Sequence, residues 1–169
     1  ICDGTSTPDL IYVGSNTQWY DDAPLTNIVS YLDTFVTGDS TSGIYTYYVT
    51  DSTSVCPRSP SDTVVLTINA IPPIPVASDT SICDGGSIPD LVAVGIGIQW
   101  YSDTGLTTLI FSGDSLVAPD TIPGVFNYYV TQTIAACEGP AETVTLSINS
   151  TPAPTGSNIG VCFGDPVPD

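Results

Sequence analysis

The most distinctive residues of this sequence recur 81 positions apart. Cys2 returns as Cys83, Trp19-Tyr20 as Trp100-Tyr101, Tyr47-Tyr48-Val49-Thr50 as Tyr128-Tyr129-Val130-Thr131, and Cys56 as Cys137. Beyond Cys137 one residue is lost, so Leu66 and Ile68 map to Leu146 and Ile148 at an offset of 80. Val161-Cys162-Phe163-Gly164-Asp165 then echoes Ile82-Cys83-Asp84-Gly85 at an offset of 79. A period of this length exceeds that of solenoid repeats and suits a whole sandwich domain. The expected organisation is one sandwich repeat over residues 1–69 with its first strand missing, a second over 70–149, and a segment 150–169 that opens a third repeat or acts as a linker or donor strand. Two readings of that last segment stand: a long array cut at an arbitrary point, or a strand that completes the first domain of a neighbouring molecule.

Within each copy the apolar residues alternate. In residues 143–148, Val144, Leu146 and Ile148 fall on one face and hydroxyls on the other, and Val64, Leu66 and Ile68 do the same earlier. Residues 45–50 and 126–131 read as a second strand, with Tyr45, Tyr47 and Val49 inward. Gln18-Trp19-Tyr20 and Gln99-Trp100-Tyr101 read as a central strand, and residues 10–13 and 91–94 as another, opened by Pro-Asp and closed by Gly14 or Gly95. Short strands punctuated by Gly, Pro and Asp predict an all-β fold of tandem immunoglobulin-like β-sandwiches. Proline-rich stretches, Ile71-Pro72-Pro73-Ile74-Pro75 and Thr151-Pro152-Ala153-Pro154, separate the copies as stiff, extended connectors.

Domains this small bury a modest core and gain from a covalent staple. Cys2 to Cys56 and Cys83 to Cys137 both span 54 residues inside one copy. The spacing predicts one intradomain disulfide in each, Cys2 with Cys56 and Cys83 with Cys137, with Cys162 paired outside the chain. Disulfides imply an oxidising compartment, hence an extracellular or cell-surface location. A zinc site is the alternative reading, but the chain has no CxxC and no His.

Eighteen acidic residues face a single basic one, Arg58, for a net charge of −17. Phosphate backbones need Lys and Arg, so nucleic acid is excluded as a partner, and an anionic membrane surface would repel the chain. No apolar run reaches the length of a membrane-spanning helix, so no direct membrane insertion is expected.

The pattern Ile-Cys-Asp-Gly, Pro-Asp-Leu, Gln-Trp-Tyr, Tyr-Tyr-Val-Thr, Cys, then Thr-Val-Thr-Leu-Ser-Ile-Asn resembles the Ig-like tandem repeats of very large Bacteroidota cell-surface and gliding-associated adhesin proteins. The resemblance spans essentially the whole chain and implies export, often by type IX secretion. That phylum attaches O-glycans at Asp-Ser/Thr followed by an aliphatic residue or Thr. The matching acceptors are Ser40, Ser52, Thr63, Ser115 and Thr121, although Asp-Ser/Thr is also a plain turn signal. Asn149-Ser150-Thr151 has the form of an N-glycosylation sequon but is not repeated at Asn69-Ala70-Ile71.

Catalytic chemistry finds little support. Asp103-Thr104-Gly105 has the form of an aspartic-protease motif, yet its counterpart is Asp22-Ala23-Pro24, so a turn fits better. Ser and Thr lack a His or Lys base, and no cofactor is expected. Calcium is the exception worth weighing, through Asp21 and Asp22 and through Asp3 and Asp84 before Gly; solvated loop carboxylates are the competing reading. Trp19 and Trp100 could form a sugar platform but lie in the strand that builds a sandwich core. The expected function is therefore structural: a segment of an extracellular bacterial filament or adhesin stalk, glycosylated, whose partners are neighbouring copies or repeats of itself. The competing reading is a carbohydrate-binding or adhesive module. An accessory domain of a secreted hydrolase is a third.

Overall fold

A computed structural model of the chain describes residues 1–156 and 163–164. Among them there is no helix. The N-terminal half contributes β1 (Leu10–Ile11), β2 (Gln18–Tyr20), β3 (Ile28–Ser30), β4 (Thr34–Phe35), β5 (Gly43–Thr50) and β6 (Asp62–Ile68). The C-terminal half contributes β7 (Val76–Ala77), β8 (Thr80–Cys83), β9 (Leu91–Val94), β10 (Ile98–Tyr101), β11 (Leu109–Ser112), β12 (Ser115–Leu116), β13 (Gly124–Ile134), β14 (Cys137–Glu138) and β15 (Glu142–Asn149).

The halves use the same pairings at corresponding residues. In the first, one sheet runs β3-β2-β5-β6 and a second pairs β1 with β4. In the other, β11-β10-β13-β15-β8 form the larger sheet, with β14 folded back on β13, and β12-β9-β7 the smaller. Register repeats too: Trp19 faces Val49 as Trp100 faces Val130, and Tyr45 faces Leu66 as Phe126 faces Leu146. Even the irregularity after the tryptophan recurs, between Trp19 and Tyr20 and between Trp100 and Tyr101.

Each half closes its two sheets over its own core, as in a β-sandwich. Trp19, Phe35, Tyr47, Val49, Leu66 and Ile68 form the first, where the Phe35 ring meets Trp19 at 5.7 Å and Tyr47 edge-on at 5.1 Å between centroids. The second gathers Leu91, Ile98, Trp100, Leu116, Val130, Val144 and Leu146 among others. Both tryptophans are fully buried, and each indole N–H donates to a carbonyl across the sandwich, Leu32 O at 3.0 Å and Gly113 O at 2.9 Å. A buried indole needs such a partner, so the polar atom helps fix where the two sheets meet. The tryptophans are core residues and are not placed to form a sugar platform.

Tyr47 and Tyr128 are latched the same way, their hydroxyls donating to Asp39 and Asp120. Burial, then the neighbouring carboxylate, pushes both phenols well above their ordinary pKa.

One difference between the halves lies in the smaller sheet. β9 pairs with β12 on one side and β7 on the other, whereas β1 pairs with β4 alone. Leu91 and Ala93 are accordingly buried, each at 1% exposure, while their counterparts Leu10 and Tyr12 are half-buried. The parallel pairing of β8 with β15, which sets Cys83 opposite Asn149, survives in the first half as a single bridge between Cys2 and Asn69.

The expected disulfides do not form. Cys2 is bonded to Cys137, while Cys56 and Cys83 are exposed thiols. The reason is geometric. Cys2 lies beside Asn69, just past the end of β6; Cys56 lies beyond Thr50, near the residues that start β6. The seven residues of β6 hold these points about 20 Å apart, whereas a disulfide needs Cα atoms within roughly 7 Å. Cys83 and Cys137 are separated in the same way by β15. The bond instead joins the far end of the first half to the near end of the second, across a Cα separation of 5.5 Å. Cys162 lies outside the described residues.

Candidate functional site

The junction between the halves is where sequence, packing and covalent chemistry converge. Cys137 opens β14, the return strand of a hairpin in which Ile134 pairs directly with Cys137. Two residues make the turn, Ala135 at φ 50° and Ala136 at φ 63°. Two-residue hairpin loops of this kind require left-handed backbone at both positions and favour Asn-Gly, so two alanines cost about 1 to 2 kcal/mol each. The turn is held from the first half: Cys2 bonds the residue that follows it, and Asn69 Nδ2 donates to Ala135 O at 3.4 Å.

The proline-rich connector packs on the same hairpin. Gln132, buried on β13, donates from Nε2 to Pro73 O at 2.8 Å and accepts from Ile96 N–H at 3.0 Å, so both ends of its amide are satisfied. Gly139 faces Pro72, where a Cβ would stand 2.6 Å from the Pro72 carbonyl oxygen, a distance no side chain tolerates. Glu138 ties the hairpin inward, accepting from Tyr101 Oη at 2.9 Å and Thr131 Oγ1 at 2.7 Å. Burial and then Glu138 raise the Tyr101 phenol above its ordinary value.

The corresponding stretch of the first half, 51–60, runs as a loop. Asp51 stands where Gln132 does and accepts from Ser15, Asn16 and Ser52 N–H groups at 2.7 to 3.1 Å. Those donors, Asn16 first and then Ser15, hold its carboxyl below the usual range. Arg58 lies over the Tyr20 ring at 5.4 Å, whereas Glu138 meets the corresponding Tyr101 at its hydroxyl.

Of the acidic residues weighed for calcium, Asp21 and Asp22 are hydrogen-bonded within one turn. Asp22 accepts from Thr26 Oγ1 and from the Thr26 and Asn27 N–H groups, and Asp21 accepts from Asn27 Nδ2. Asp103 makes the equivalent turn with Thr107 and Thr108. These contacts, Thr26 Oγ1 first for Asp22 and the Thr107 N–H first for Asp103, lower both carboxyls, and they fix Leu25 and Leu106 in left-handed backbone at φ 58° and 53°. The Asp-Thr-Gly motif is thus a turn. Among the described residues no three His, Cys, Asp or Glu side chains gather as a metal site, and Asp3 and Asp84 sit at separate ends.

The candidate glycan acceptors are dispersed. Ser40, Thr63 and Thr121 are exposed; Ser115 is exposed with its hydroxyl donating to Asp90 at 3.0 Å; Ser52 is half-buried beside Asp51. A shallow groove near the loop of the first half is lined by Asn16, Gln18, Tyr31, Ser52 and Thr53, and its counterpart in the second half by Gly97, Gln99, Ser112, Thr133 and Glu138.

Sequence reasoning found the cysteines but not their pairing, and missed Gln132, Gly139 and the β13–β14 hairpin. A signal was present. Between the matched pairs Thr50/Thr131 and Pro60/Pro140, Gln132, Glu138 and Gly139 stand for Asp51, Pro57 and Arg58, and only the cysteines agree. No protein-family model and no curated protein matches the chain. Its class is that of an all-β protein of several small sheets, antiparallel apart from the β8–β15 pairing, with one disulfide between its halves among the described residues.

Proposed function

We propose that this chain is a structural segment of an extracellular bacterial filament or adhesin stalk, built of tandem Ig-like domains of the Bacteroidota surface-protein type and carrying O-glycans on exposed Ser and Thr. The observation that carries this reading is the covalent junction. Successive units are joined by the backbone and also by Cys2–Cys137, with the connector seated on the second unit through Gln132 and Gly139. A joint fixed at two covalent points resists bending and separation, the property a load-bearing rod requires. The surface fits an exposed life: one basic residue in 169 leaves almost no site for trypsin-like proteases.

A glycan-binding module is the second reading, favoured by one observation. The groove of the first half combines amides and hydroxyls with Tyr31, an aromatic 67% exposed, which is the chemistry that holds sugars. Electron microscopy of native material, with intact mass on the same sample, tests the first reading. Long fibres with an axial repeat of one or two domains and a mass above that of the polypeptide are expected. Dispersed particles at the bare polypeptide mass, together with saturable binding to a glycan array abolished by Tyr31→Ala, would replace it with the second.

A further inference from the structure

Cys56 and Cys83 are unpaired and exposed, each at a position whose counterpart one copy away is bonded. Cys2 and Cys83 are the same residue of the repeat, and so are Cys56 and Cys137. The bond in this chain joins the first cysteine of one unit to the second cysteine of the next. Shifting that rule by one unit assigns both remaining thiols.

We infer that Cys83 and Cys56 are the two half-cystines of the neighbouring junctions: Cys83 bonds the second cysteine of a following unit, Cys56 the first cysteine of a preceding one, so that every unit boundary carries a disulfide.

Placement supports the shift. Cys83 stands opposite Asn149 where β15 ends, just as Cys2 stands opposite Asn69 where β6 ends, so each marks the far end of its unit. Cys56 lies at the near end of the first half, beyond β5, as Cys137 lies beyond Thr131 in β13. The two thiols therefore face outward from opposite ends of the pair. The chain beyond Asn149 repeats the connector, with Pro152-Ala153-Pro154 matching Pro73-Ile74-Pro75, which would carry a following unit to the position that the second half occupies after the first. A Gly at 139 and a Gln at 132 serve a seated connector, while Asp51 and the exposed 53–58 loop leave Cys56 on an open surface.

The bond forms by thiol–disulfide exchange with a small-molecule or protein disulfide as oxidant. One cysteine thiolate attacks the oxidant, releasing one of its sulfurs as a thiol and leaving a mixed disulfide. The partner cysteine's thiolate then displaces the second sulfur. Two thiols lose two protons and two electrons, and the oxidant takes up both, its disulfide becoming two thiols.

The inference rests on the tandem-unit reading above and fails separately from it. The probe is a second molecule of this chain, in a Cys162→Ser background, concentrated with oxidised glutathione at high salt to screen the net negative charge. Mapping after alkylation and Asp-specific digestion should recover Cys2 with Cys137 in every molecule and Cys83 joined to Cys56 between molecules, as a ladder lost on reduction. Cys83→Ser should abolish the ladder while Cys2–Cys137 and the circular dichroism of the fold persist. Linkage of Cys2 to Cys56 and Cys83 to Cys137 would overturn the inference. So would glutathione capping without chain-to-chain bonds, or Cys83–Cys83 and Cys56–Cys56 pairs in place of Cys83–Cys56. In native fibres, mass that falls on reduction identifies a second polypeptide as partner, and bonded Cys83 at unchanged mass identifies a further unit of the same one. Fibres with alkylatable Cys56 and Cys83 would sink the inference and leave the structural role standing.

Discussion

The two halves share a core and differ at their ends. Trp19 and Trp100, Tyr47 and Tyr128, Val49 and Val130 occupy matched environments because the residues around them match. Where the first half has Asp51, Pro57 and Arg58, the second has Gln132, Glu138 and Gly139, and there a loop becomes a hairpin with a connector on it. An amide can do what a carboxylate cannot: Asp51 accepts hydrogen bonds alone, whereas Gln132 accepts from Ile96 and donates to Pro73. The core of a unit is thus set within the unit, and its ends are set by whatever adjoins them.

The largest way to break this comparison is to cut the staple. Cys2→Ser removes a cross-link spanning 135 residues, which on chain-entropy grounds stabilises against global unfolding by about 5 kcal/mol. Calorimetry should then show one transition becoming two, with the N-terminal half melting first. A single unchanged transition would mean that the halves are coupled through packing instead.

Next in size is a matched pair of core truncations. Leu91→Ala empties a closed site between β7, β12 and the larger sheet and should cost about 3 kcal/mol. Leu10→Ala, beside an edge with a partner on one side, should cost about 1 kcal/mol, because the lost side chain was half in water already. Urea titrations of both variants measure the difference, and equal losses would show that the second half's extra strand does not tighten its core.

Substitutions at the connector come third. Gly139→Ala drives a Cβ into the Pro72 carbonyl and should cost about 1 to 3 kcal/mol, with faster amide exchange at Gln132 and Gly139. Arg58→Ala, at the counterpart position, removes a cation over Tyr20 and should cost about 0.5 to 1 kcal/mol. If the two cost the same, connector seating is not what distinguishes the second half.

The smallest effect concerns acid. Asp51 has a carboxyl lowered by folding, so its contribution is present above the unfolded carboxylate value and is lost as pH falls through the folded one. Gln132 does not titrate. On acidification toward pH 3 the Ser15 and Asn16 amides should lose exchange protection before the Ile96 amide does. Simultaneous loss would place the acid-sensitive contacts at Asp22 and Asp103, which both halves share.

Much of the fold was legible because alternation is local. A strand that buries every second residue announces itself within six positions, and the inward placing of Tyr47, Val49, Leu66 and Ile68 follows from that pattern alone. Short edge elements such as β3, β4, β11 and β12 carry no such signal, since two to four residues define no period. The disulfide was illegible for a different reason. Equal 54-residue intervals made pairing inside each copy look natural, yet interval along the chain says nothing about which end of a sandwich a residue reaches.

By itself, then, the sequence determined the repeat, the all-β character, both cores and the acidic, hydroxyl-rich surface, because each rests on residue type and near-neighbour spacing. Tertiary structure alone decided that Cys2 joins Cys137, that Ala135-Ala136 turns a hairpin and that Pro73 seats on Gln132. The disulfide and the Pro73 contact unite residues 135 and 59 positions apart, and such pairings exist once the strands have fixed which end of each half faces the other.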